Sequence, residues 1–257
     1  NYLPIFSMCS SDRYADIKIP TWEDWSRVQN KENIWFPKTC KHYNIEFNKK
    51  WENKIPTAIF RGSSTGCGVT INTNPRLKIS YLSHITPPDE NGIKYINAGI
   101  TKWNLRSRKI QGEKYLQTID IDKLPFDLSD EMTLEEQSEY KYIFCPSGKG
   151  IDDPRIYESI ILGNIPIRLK EKISKFHEDM PIIYIDKITD LNLDFIQTKF
   201  KNFHNEKFNY EKLFLNYWKN KTNINTKFDL SMFQNISLDE FRSKLIEYYL
   251  DNSYDDK

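Results

Sequence analysis

The stretch that decides the fold is residues 142–169, which read YIFCPSGKGIDDPRIYESIILGNIPIRL. Its first residues, 142–146, form a short apolar run that predicts a buried strand. A polar loop with two glycines follows, and 154–162 has the periodicity of an amphipathic helix with a proline in its first turn. The Gly-Asn pair at 163–164 ends that helix, and 165–169 predicts the next strand. Strand, helix and strand in this order indicate a parallel sheet.

The preceding part of the chain shows the same alternation. An apolar strand is predicted at 57–60, and a loop rich in Ser, Thr and Gly follows over 61–70. The Asn-Pro pair at 74–75 marks a helix start, because proline suits the first helical turn. Further strands are predicted at 95–99 and, in a short or irregular form, at 116–120.

The remaining segments complete an α/β pattern. Thr133 with Glu136 offers a capping-box helix start, 181–185 predicts another strand, and 209–219 and 238–249 predict amphipathic helices. Strands that alternate with helices predict an α/β fold. We therefore expect a Rossmann-like parallel sheet with helices on both faces.

Composition and charge argue against several classes of protein. The chain has 257 residues, with Lys+Arg 37 against Asp+Glu 36 and a net charge of +1, so it lacks the positive field that binds nucleic acid. No apolar run reaches the roughly 20 residues of a membrane-spanning helix. The four Cys and four His residues lack metal-ligand spacing, which disfavours a zinc site and a Ser-His-Asp hydrolase. The length accommodates one large α/β domain, or one domain and part of a second.

The first candidate for binding chemistry is the loop after the strand at 57–60. Arg61 follows the strand directly, and its guanidinium can donate two parallel hydrogen bonds to a diphosphate. The hydroxyl groups of Ser63, Ser64 and Thr65, together with the loop amides, can donate to phosphate oxygens. The alternative is an ordinary Gly/Ser turn with a solvated arginine.

The second candidate is the loop before the helix predicted at 154–162. Glycines precede the helix N-terminus here, and Arg155 in the first turn can hold an anion together with the helix dipole. Glu158 lies one turn further on, so an arginine for phosphate and a carboxylate for ribose project from one face. An intrahelical Arg–Glu pair is the alternative. Neither loop is a Walker A sequence, and the Gly-x-Gly at 148–150 lacks the third glycine of the dinucleotide fingerprint.

Six segments follow one another along the chain as LPIFS (3–7), YADIKIPTW (14–22), AIFRGSST (58–65), NAGITKW (97–103), YKYIF (140–144) with Gly148 and Arg155, and LGNIP (162–166). In order and spacing they resemble the glycosyltransferases of family 90, the CAP10-like and protein O-glucosyltransferase-like enzymes. The resemblance covers most of the chain up to Leu169. The stretch over 148–166 is also similar to the exostosin-like transferases of family 47.

The resemblance implies a hexosyl- or pentosyltransferase of GT-B architecture that inverts the sugar and needs no metal or other cofactor. The donor would be a UDP-sugar, UDP-glucose or UDP-xylose, and the acceptor a hydroxyl group of a protein or glycan. Arg61 and Arg155 would neutralise the diphosphate in place of a divalent metal. Hydrogen bonds to the diphosphate would come from Ser63, Ser64 and Thr65. The nucleoside would lie against Asn97, Ala98, Gly99, Thr101, Lys102, Ser147, Gly148, Lys149, Gly150 and Glu158.

The resemblance also sets an expectation for the catalytic base. In family 90 this aspartate usually precedes the segment that matches residues 3–7, so we expect the base upstream of this chain. Asp16 matches a family aspartate and is the catalytic candidate within the chain, with a structural or acceptor-facing role as the other interpretation. The competing hypothesis is a noncatalytic nucleotide-sugar- or glycan-binding module that lacks the base. A third is a structural domain whose two arginine loops serve packing.

Three regions are predicted along the chain. Residues 1–54 form an N-terminal segment that connects from the acceptor side, 55–200 form the Rossmann-like nucleotide-sugar-binding domain, and 201–257 form a C-terminal helical segment that packs back. The N-terminal domain is therefore expected to be incomplete or reduced. The sequence leaves both the secretory-pathway lumen and the cytoplasm open as compartments.

Overall fold

A central parallel sheet organises the chain. The structure is a computed structural model that describes residues 6–8, 17–19, 49–66, 68–110, 112–147, 153–170, 177–192, 194–214, 217 and 229–252. The strands in chain order are β1 (Phe6–Met8), β2 (Ile17–Ile19), β3 (Ile55–Ser63), β4 (Ile96–Lys102), β5 (Arg108–Lys109), β6 (Leu116–Gln117), β7 (Tyr140–Phe144), β8 (Ile165–Leu169) and β9 (Ile183–Ile185). The α-helices are α1 (Pro75–Ile85), α2 (Leu134–Ser138), α3 (Pro154–Ile161) and α4 (Leu238–Asn252).

The strand order of the central sheet is β4-β3-β7-β8-β9, and every pair of neighbours is parallel. From β3 the chain crosses to β4 on one side, returns past β3 to β7, and continues outward through β8 and β9. Because parallel crossovers are right-handed, this reversal puts α1 and α3 on opposite faces of the sheet. In open α/β sheets, ligands bind at the carboxyl ends of the strands where the order reverses. That point lies between β3 and β7.

The inner strands are apolar on both faces, as expected for a parallel sheet that helices cover on both sides. Consecutive residues of β3, β7 and β8 are buried, so these strands cannot show the alternation of a half-exposed strand. Helices α1 and α3 each contribute a buried apolar residue directly after their first-turn arginine. The fully buried apolar residues of these elements include Ala58, Ile59, Phe60, Leu77, Ile143, Phe144, Ile156, Ile165 and Ile167.

The α/β fold with a Rossmann-like parallel sheet is confirmed. The predicted strands at 57–60, 95–99, 142–146, 165–169 and 181–185 correspond to β3, β4, β7, β8 and β9. The helix starts predicted at 74–75, at Thr133 and before residue 155 correspond to α1, α2 and α3, and the capping box of α2 forms between Thr133 and Glu136. The helix predicted at 238–249 is α4.

The segment predicted as a strand at 116–120 contains only β6, which lies outside the central sheet. This strand pairs antiparallel with β5 in a separate two-stranded hairpin. Leu116 is 65% exposed, so the apolar residue that suggested a core strand contributes nothing to the core. Its apolar character alone was a misleading signal.

The helix predicted at 209–219 does not begin at Asn209, although Tyr217 is helical. The backbone amides of Phe208 and Tyr210 donate to the carbonyls of Ile236 and Phe233, which holds this stretch against another segment of the chain. A short 3-10 helix at Glu211–Leu213 follows. Tertiary pairing therefore overrides the helical periodicity, while 215–216 and 218–228 lie outside the described residues.

Within residues 1–48 the structure describes β1 and β2, which form a parallel two-stranded pair. The three regions predicted along the chain remain a prediction. Among the described helices, none is long and apolar enough to cross a membrane.

Candidate anion-binding site

Two arginine side chains lie near the Phe60 ring, at the point where the strand order reverses. Arg76 lies in the first turn of α1, which follows β3, and Arg155 lies in the first turn of α3, which follows β7. Their guanidinium carbons lie 6.0 Å and 5.1 Å from the centroid of the Phe60 ring in β3. The fold thus gathers two positive charges at the carboxyl edge of the sheet.

Both helices begin with the same short pattern, Asx-Pro-Arg. Asn74 and Asp153 are the N-cap residues, and each side chain accepts a hydrogen bond from the backbone amide of the following arginine, at 2.9 Å and 3.0 Å. Proline fits the first helical position because its missing N–H would be unpaired there anyway. One turn later, the hydroxyl groups of Ser80 and Ser159 donate to the arginine carbonyls. This repeated pattern fixes both arginines at a helix N-terminus.

Arg76 is nearly buried, with 8% of its surface exposed. Its Nη1 donates to the Ser63 carbonyl at 3.1 Å and to the Thr65 hydroxyl at 2.7 Å, which ties α1 to the end of β3. Its Nε is buried and has no hydrogen-bond partner among the described residues. Burial lowers the pKa of Arg76, and the positive charge of Arg155 lowers it further. The negative charge of Asp153 opposes this lowering of the Arg76 pKa.

Arg155 extends from α3 to strand β3. A Cβ atom on Gly62 would lie 3.1 Å from Nη2 of Arg155, so the glycine leaves the space that the guanidinium occupies. The other terminal nitrogen, Nη1, is buried and lacks a hydrogen-bond partner within the described part of the chain. No ion pair to Arg76 or Arg155 forms among the described residues. Buried donors are normally paired, so both arginines present unused hydrogen-bonding capacity.

The charge pattern of this edge fits an anion. A helix N-terminus carries a positive partial charge, which makes a cation unfavourable there and an anion favourable. Here two such termini each carry an arginine. Arg155 Nη1 and Arg76 Nε are donors without a partner among the described residues, and a hydrogen bond from a guanidinium to an anion is worth about 1.5–3 kcal/mol. A phosphate or diphosphate has the required charge and acceptor oxygens.

Arg61 lies on the other face of β3, because side chains alternate along a strand and Phe60 and Gly62 share the face of Arg155. Its Nη1 donates to the Asn97 carbonyl and its Nη2 to the Asn97 side chain, both at 2.9 Å. Burial lowers the pKa of Arg61. The structure therefore does not bring Arg61 together with Arg155, although the sequence analysis assigned both to one diphosphate.

The three hydroxyl residues at the end of β3 fall into two groups. The Ser63 and Thr65 hydroxyls lie 2.9 Å apart, and Thr65 also accepts a hydrogen bond from Arg76. This pair therefore lies beside Arg76 at the carboxyl edge of the sheet. Ser64 is buried, and its hydroxyl accepts a hydrogen bond from the Asn104 amide at 2.7 Å. Ser64 thus holds the loop together.

The residues expected to contact the nucleoside fall on two separate elements. Strand β4 is the edge strand beside β3, so β3 separates it from β7 and α3. Gly99 on β4 allows close approach of Ser129, since a Cβ atom there would collide with that side chain. The amide of Ala98 donates to the Ser83 hydroxyl, and the Lys102 carbonyl accepts from the Ser64 amide. The predicted residues on β4 are Asn97, Ala98, Gly99, Thr101 and Lys102.

Ser147 and Glu158 lie at the carboxyl edge of the sheet, on the side of Arg155. Ser147 follows β7, and its hydroxyl accepts from Nη2 of the buried Arg168 at 3.4 Å. Glu158 lies on α3 one turn after Arg155, as predicted from the spacing. Gly148, Lys149, Gly150 and the catalytic candidate Asp16 lie outside the described residues.

Arg76 is the site residue that the sequence analysis missed. Its signal was present, because Asn74-Pro75-Arg76 and Asp153-Pro154-Arg155 share one pattern and both follow a predicted strand and loop. A comparison of the two helix starts would have paired Arg76 with Arg155.

Comparison with known proteins identifies the family. Residues 1–150 match the sequence profile described as glycosyl transferase family 90. The chain belongs to glycosyl transferase family 90. The matched region contains β3, Arg76 and β7, and it ends before Arg155 and α3. The family resemblance seen in the six sequence segments is thereby confirmed.

Several viral proteins are similar to this family 90 chain. Uncharacterized protein 179R of Invertebrate iridescent virus 6 is 46% identical over 194 residues, which is 66% of this chain and 16% of that protein. Uncharacterized protein 035R of Invertebrate iridescent virus 3 is 45% identical over 147 residues, covering 57% and 13%. Uncharacterized protein 027R of Frog virus 3 (isolate Goorha) is 33% identical over 152 residues, covering 56% and 15%. The chain thus spans a small part of the length of these relatives.

Proposed function

We propose that this chain carries the donor site of a glycosyltransferase that moves a sugar from a UDP-sugar to a hydroxyl group of a protein or glycan. The proposed donor is UDP-glucose or UDP-xylose, the architecture is GT-B, and the reaction inverts the anomeric carbon without a metal ion. The observation that carries the proposal is the pair of arginines at two helix N-termini beside β3 and β7. Membership of family 90 supports the class of reaction.

The positive charge at the carboxyl edge of the sheet suits the departure of UDP. In an inverting transfer, the acceptor oxygen bonds to the anomeric carbon as the bond from that carbon to the diphosphate breaks. Negative charge then develops on the departing phosphate, and Arg76 and Arg155 lie where they would stabilise it. Two fixed guanidinium groups supply the positive charge that a divalent metal supplies in other transferases. The Ser63 and Thr65 hydroxyls would complete the diphosphate contacts.

The acceptor must also lose a proton, which requires a base within hydrogen-bond reach of its hydroxyl. Asp16 is the candidate within the chain. Binding of the donor and transfer of the sugar are therefore separable, and the first tests address binding.

Calorimetric titration of the chain with UDP, UDP-glucose, UDP-xylose and GDP, in EDTA and again in Mg²⁺, tests the donor site. We expect saturable binding of UDP and UDP-sugars that is equal in both buffers. Arg155→Ala should weaken binding about 100-fold, and Arg155→Lys should weaken it less, because lysine keeps the charge but lacks the two-pronged guanidinium. Lys207→Ala, which removes an exposed positive charge from the C-terminal region, is the control and should bind as the wild type does.

Each outcome has a definite meaning. Binding that requires Mg²⁺ would contradict the metal-independent arrangement. Equal binding by wild type and Arg155→Ala would place the donor elsewhere. UDP binding without sugar transfer to any hydroxyl acceptor would instead support a noncatalytic nucleotide-sugar-binding module.

A further inference from the structure

A second group of polar side chains lies beyond the amino end of β3. Glu52, His204 and Asp239 each offer one ligand atom, and these three atoms lie within 4.8 Å of one another. The three residues come from segments far apart in the sequence. Glu52 precedes β3, His204 lies in the 3-10 helix Phe203–Asn205, and Asp239 lies in the first turn of α4.

His204 is the buried member of the group, with 7% of its surface exposed. Its ring stacks on Trp51 with centroids 4.6 Å apart and planes inclined by 17°, which fixes the imidazole in orientation. Its Nδ1 is buried and has no hydrogen-bond partner among the described residues. An imidazole this buried normally has its polar atoms satisfied. The structure therefore holds the imidazole in one orientation within reach of the two carboxylates.

The two carboxylates are exposed and can adjust to a ligand. No ion pair joins Glu52, His204 and Asp239 to one another in the part of the chain that the structure describes. Ligand atoms around a tetrahedral zinc ion lie about 3.4 Å apart, given metal–ligand distances of about 2.0–2.1 Å. The atoms would have to draw together by at most about 1.4 Å, which rotation of two exposed side chains provides.

We propose that Glu52, His204 and Asp239 bind one divalent transition-metal ion of the Zn²⁺ class. An imidazole nitrogen with two carboxylate oxygens suits zinc, cobalt or manganese, whereas calcium and magnesium favour oxygen ligands alone. Three protein ligands leave a fourth position for water. The ion would connect α4 and the turn at 203–205 to the segment that enters β3. The ion would thus stabilise the fold at the amino edge of the sheet, opposite Arg76 and Arg155.

The test uses the whole chain after removal of metal with a chelator. Calorimetry with ZnCl₂ should show one site, and CoCl₂ should give the visible absorption bands of low-symmetry coordinated cobalt. Glu52→Gln and Asp239→Asn should each lower Zn²⁺ affinity about tenfold or more, because each removes a charged ligand. Glu247→Gln, an exposed position on the same helix, is the matched control and should leave the affinity unchanged.

Thermal unfolding provides the second measurement. Zn²⁺ should raise the melting temperature of the wild type and of Glu247→Gln, and it should lose this effect in the Glu52→Gln/Asp239→Asn double variant. The metal-free melting temperature should change little in these exposed carboxylate variants, so failure to fold does not obscure the result. Unchanged Zn²⁺ binding in the double variant, or no single-site binding by the wild type, would overturn the proposal. UDP titration in EDTA remains a separate test, because it reports on Arg155.

Discussion

The two edges of the central sheet both hold buried cations, but their surroundings differ. At the amino edge, Lys54 donates to the carbonyl of Ser138 at 2.5 Å and to that of Leu162 at 3.0 Å, where α2 and α3 end. At the carboxyl edge, Arg76 and Arg155 lie where α1 and α3 begin. A helix C-terminus favours a cation, and a helix N-terminus opposes one.

This contrast distinguishes Lys54, whose amino group is paired by the chain itself, from Arg76 and Arg155, which keep unpaired donors. The amino edge supplies Lys54 with acceptors from the chain itself, so this amine completes the hydrogen bonding of the fold. The carboxyl edge places two cations against the helix dipoles and leaves the Nε of Arg76 and the Nη1 of Arg155 without partners among the described residues. We infer that the charge imbalance at the carboxyl edge is retained for binding. The following substitutions test each side of the comparison.

Loss of the amino-edge cation should have the largest effect. Lys54→Met keeps the length of the side chain but leaves the buried carbonyls of Ser138 and Leu162 unpaired, at about 1–3 kcal/mol each. We expect the free energy of unfolding to fall by about 2–5 kcal/mol, measured by urea denaturation at pH 7. Lys49→Met is the control, since Lys49 is partly exposed and pairs with Glu139, and it should cost less than about 1 kcal/mol. Equal effects of both substitutions would mean that the Lys54 hydrogen bonds are not special.

How much of this fold could be read from the sequence depends on the range of the forces involved. The parallel strands and the starts of α1, α2 and α3 were predictable, because apolar runs and the caps at Asn74, Thr133 and Asp153 act within a few residues. The non-helical start of 209–219 was not, because the amides of Asn209 and Tyr210 donate to the distant carbonyls of Asp179 and Phe233, and such pairing has no local pattern.

The candidate site was predictable in part for the same reason. The role of Arg155 could be predicted because it lies in the first turn of a predicted helix, after a glycine-containing loop. Arg76 could have been predicted from the same Asx-Pro-Arg pattern. The separation of Arg61 from Arg155 depends on which face of β3 each side chain meets. That separation, like the contacts of Lys54 and His204, arises only when distant segments pack together.

Arginine substitutions at the carboxyl edge should have the next largest effect, seen in binding. Arg155→Ala should weaken UDP binding about 100-fold, because it removes one or two charge-assisted hydrogen bonds of about 1.5–3 kcal/mol each. Arg61→Ala should weaken it less than about tenfold, since that guanidinium is engaged by Asn97. Calorimetry on both variants makes the measurement, with melting temperatures to verify folding. Equal losses would show that Arg61 also contacts the diphosphate, as the family resemblance implies.

The amino-edge cation should also make stability depend on pH. Burial lowers the pKa of Lys54 from 10.5 to about 7, with a further lowering by the charge of Arg242 that Glu139 and Asp239 oppose. Between pH 7 and 9 the unfolded chain therefore binds more protons at this lysine than the folded chain does, so stability rises with pH. We expect a rise of about 2 kcal/mol across this range in the wild type, and its loss in Lys54→Met.

The pH range is chosen to isolate Lys54. Burial raises the pKa of the Cys145 thiol from 9.0 to about 12, so that group lowers stability as pH approaches and passes 9, and it does so equally in the wild type and in Lys54→Met. Burial lowers the pKa of His204, whose contribution lies below pH 7. Denaturation at pH 7, 8 and 9 on both proteins makes the comparison, and parallel pH profiles would refute the assignment to Lys54.

The smallest effect should come from the glycine that makes room for Arg155. A Cβ atom at Gly62 would lie 3.1 Å from Arg155 Nη2 and 3.3 Å from the Phe60 ring, so Gly62→Ala must displace the guanidinium by a few tenths of an ångström. We expect UDP binding to weaken about tenfold, or 1.4 kcal/mol, and stability to change by less than about 1 kcal/mol.

A double-mutant cycle decides whether that loss acts through Arg155. In an Arg155→Lys background, which lacks the crowded Nη2 but retains weak binding, Gly62→Ala should have no further effect on UDP affinity. If the glycine instead contacts the ligand through its backbone, the two losses should add in free energy. The cycle therefore distinguishes a carboxyl edge shaped around one arginine from a loop that binds the anion with its own amides.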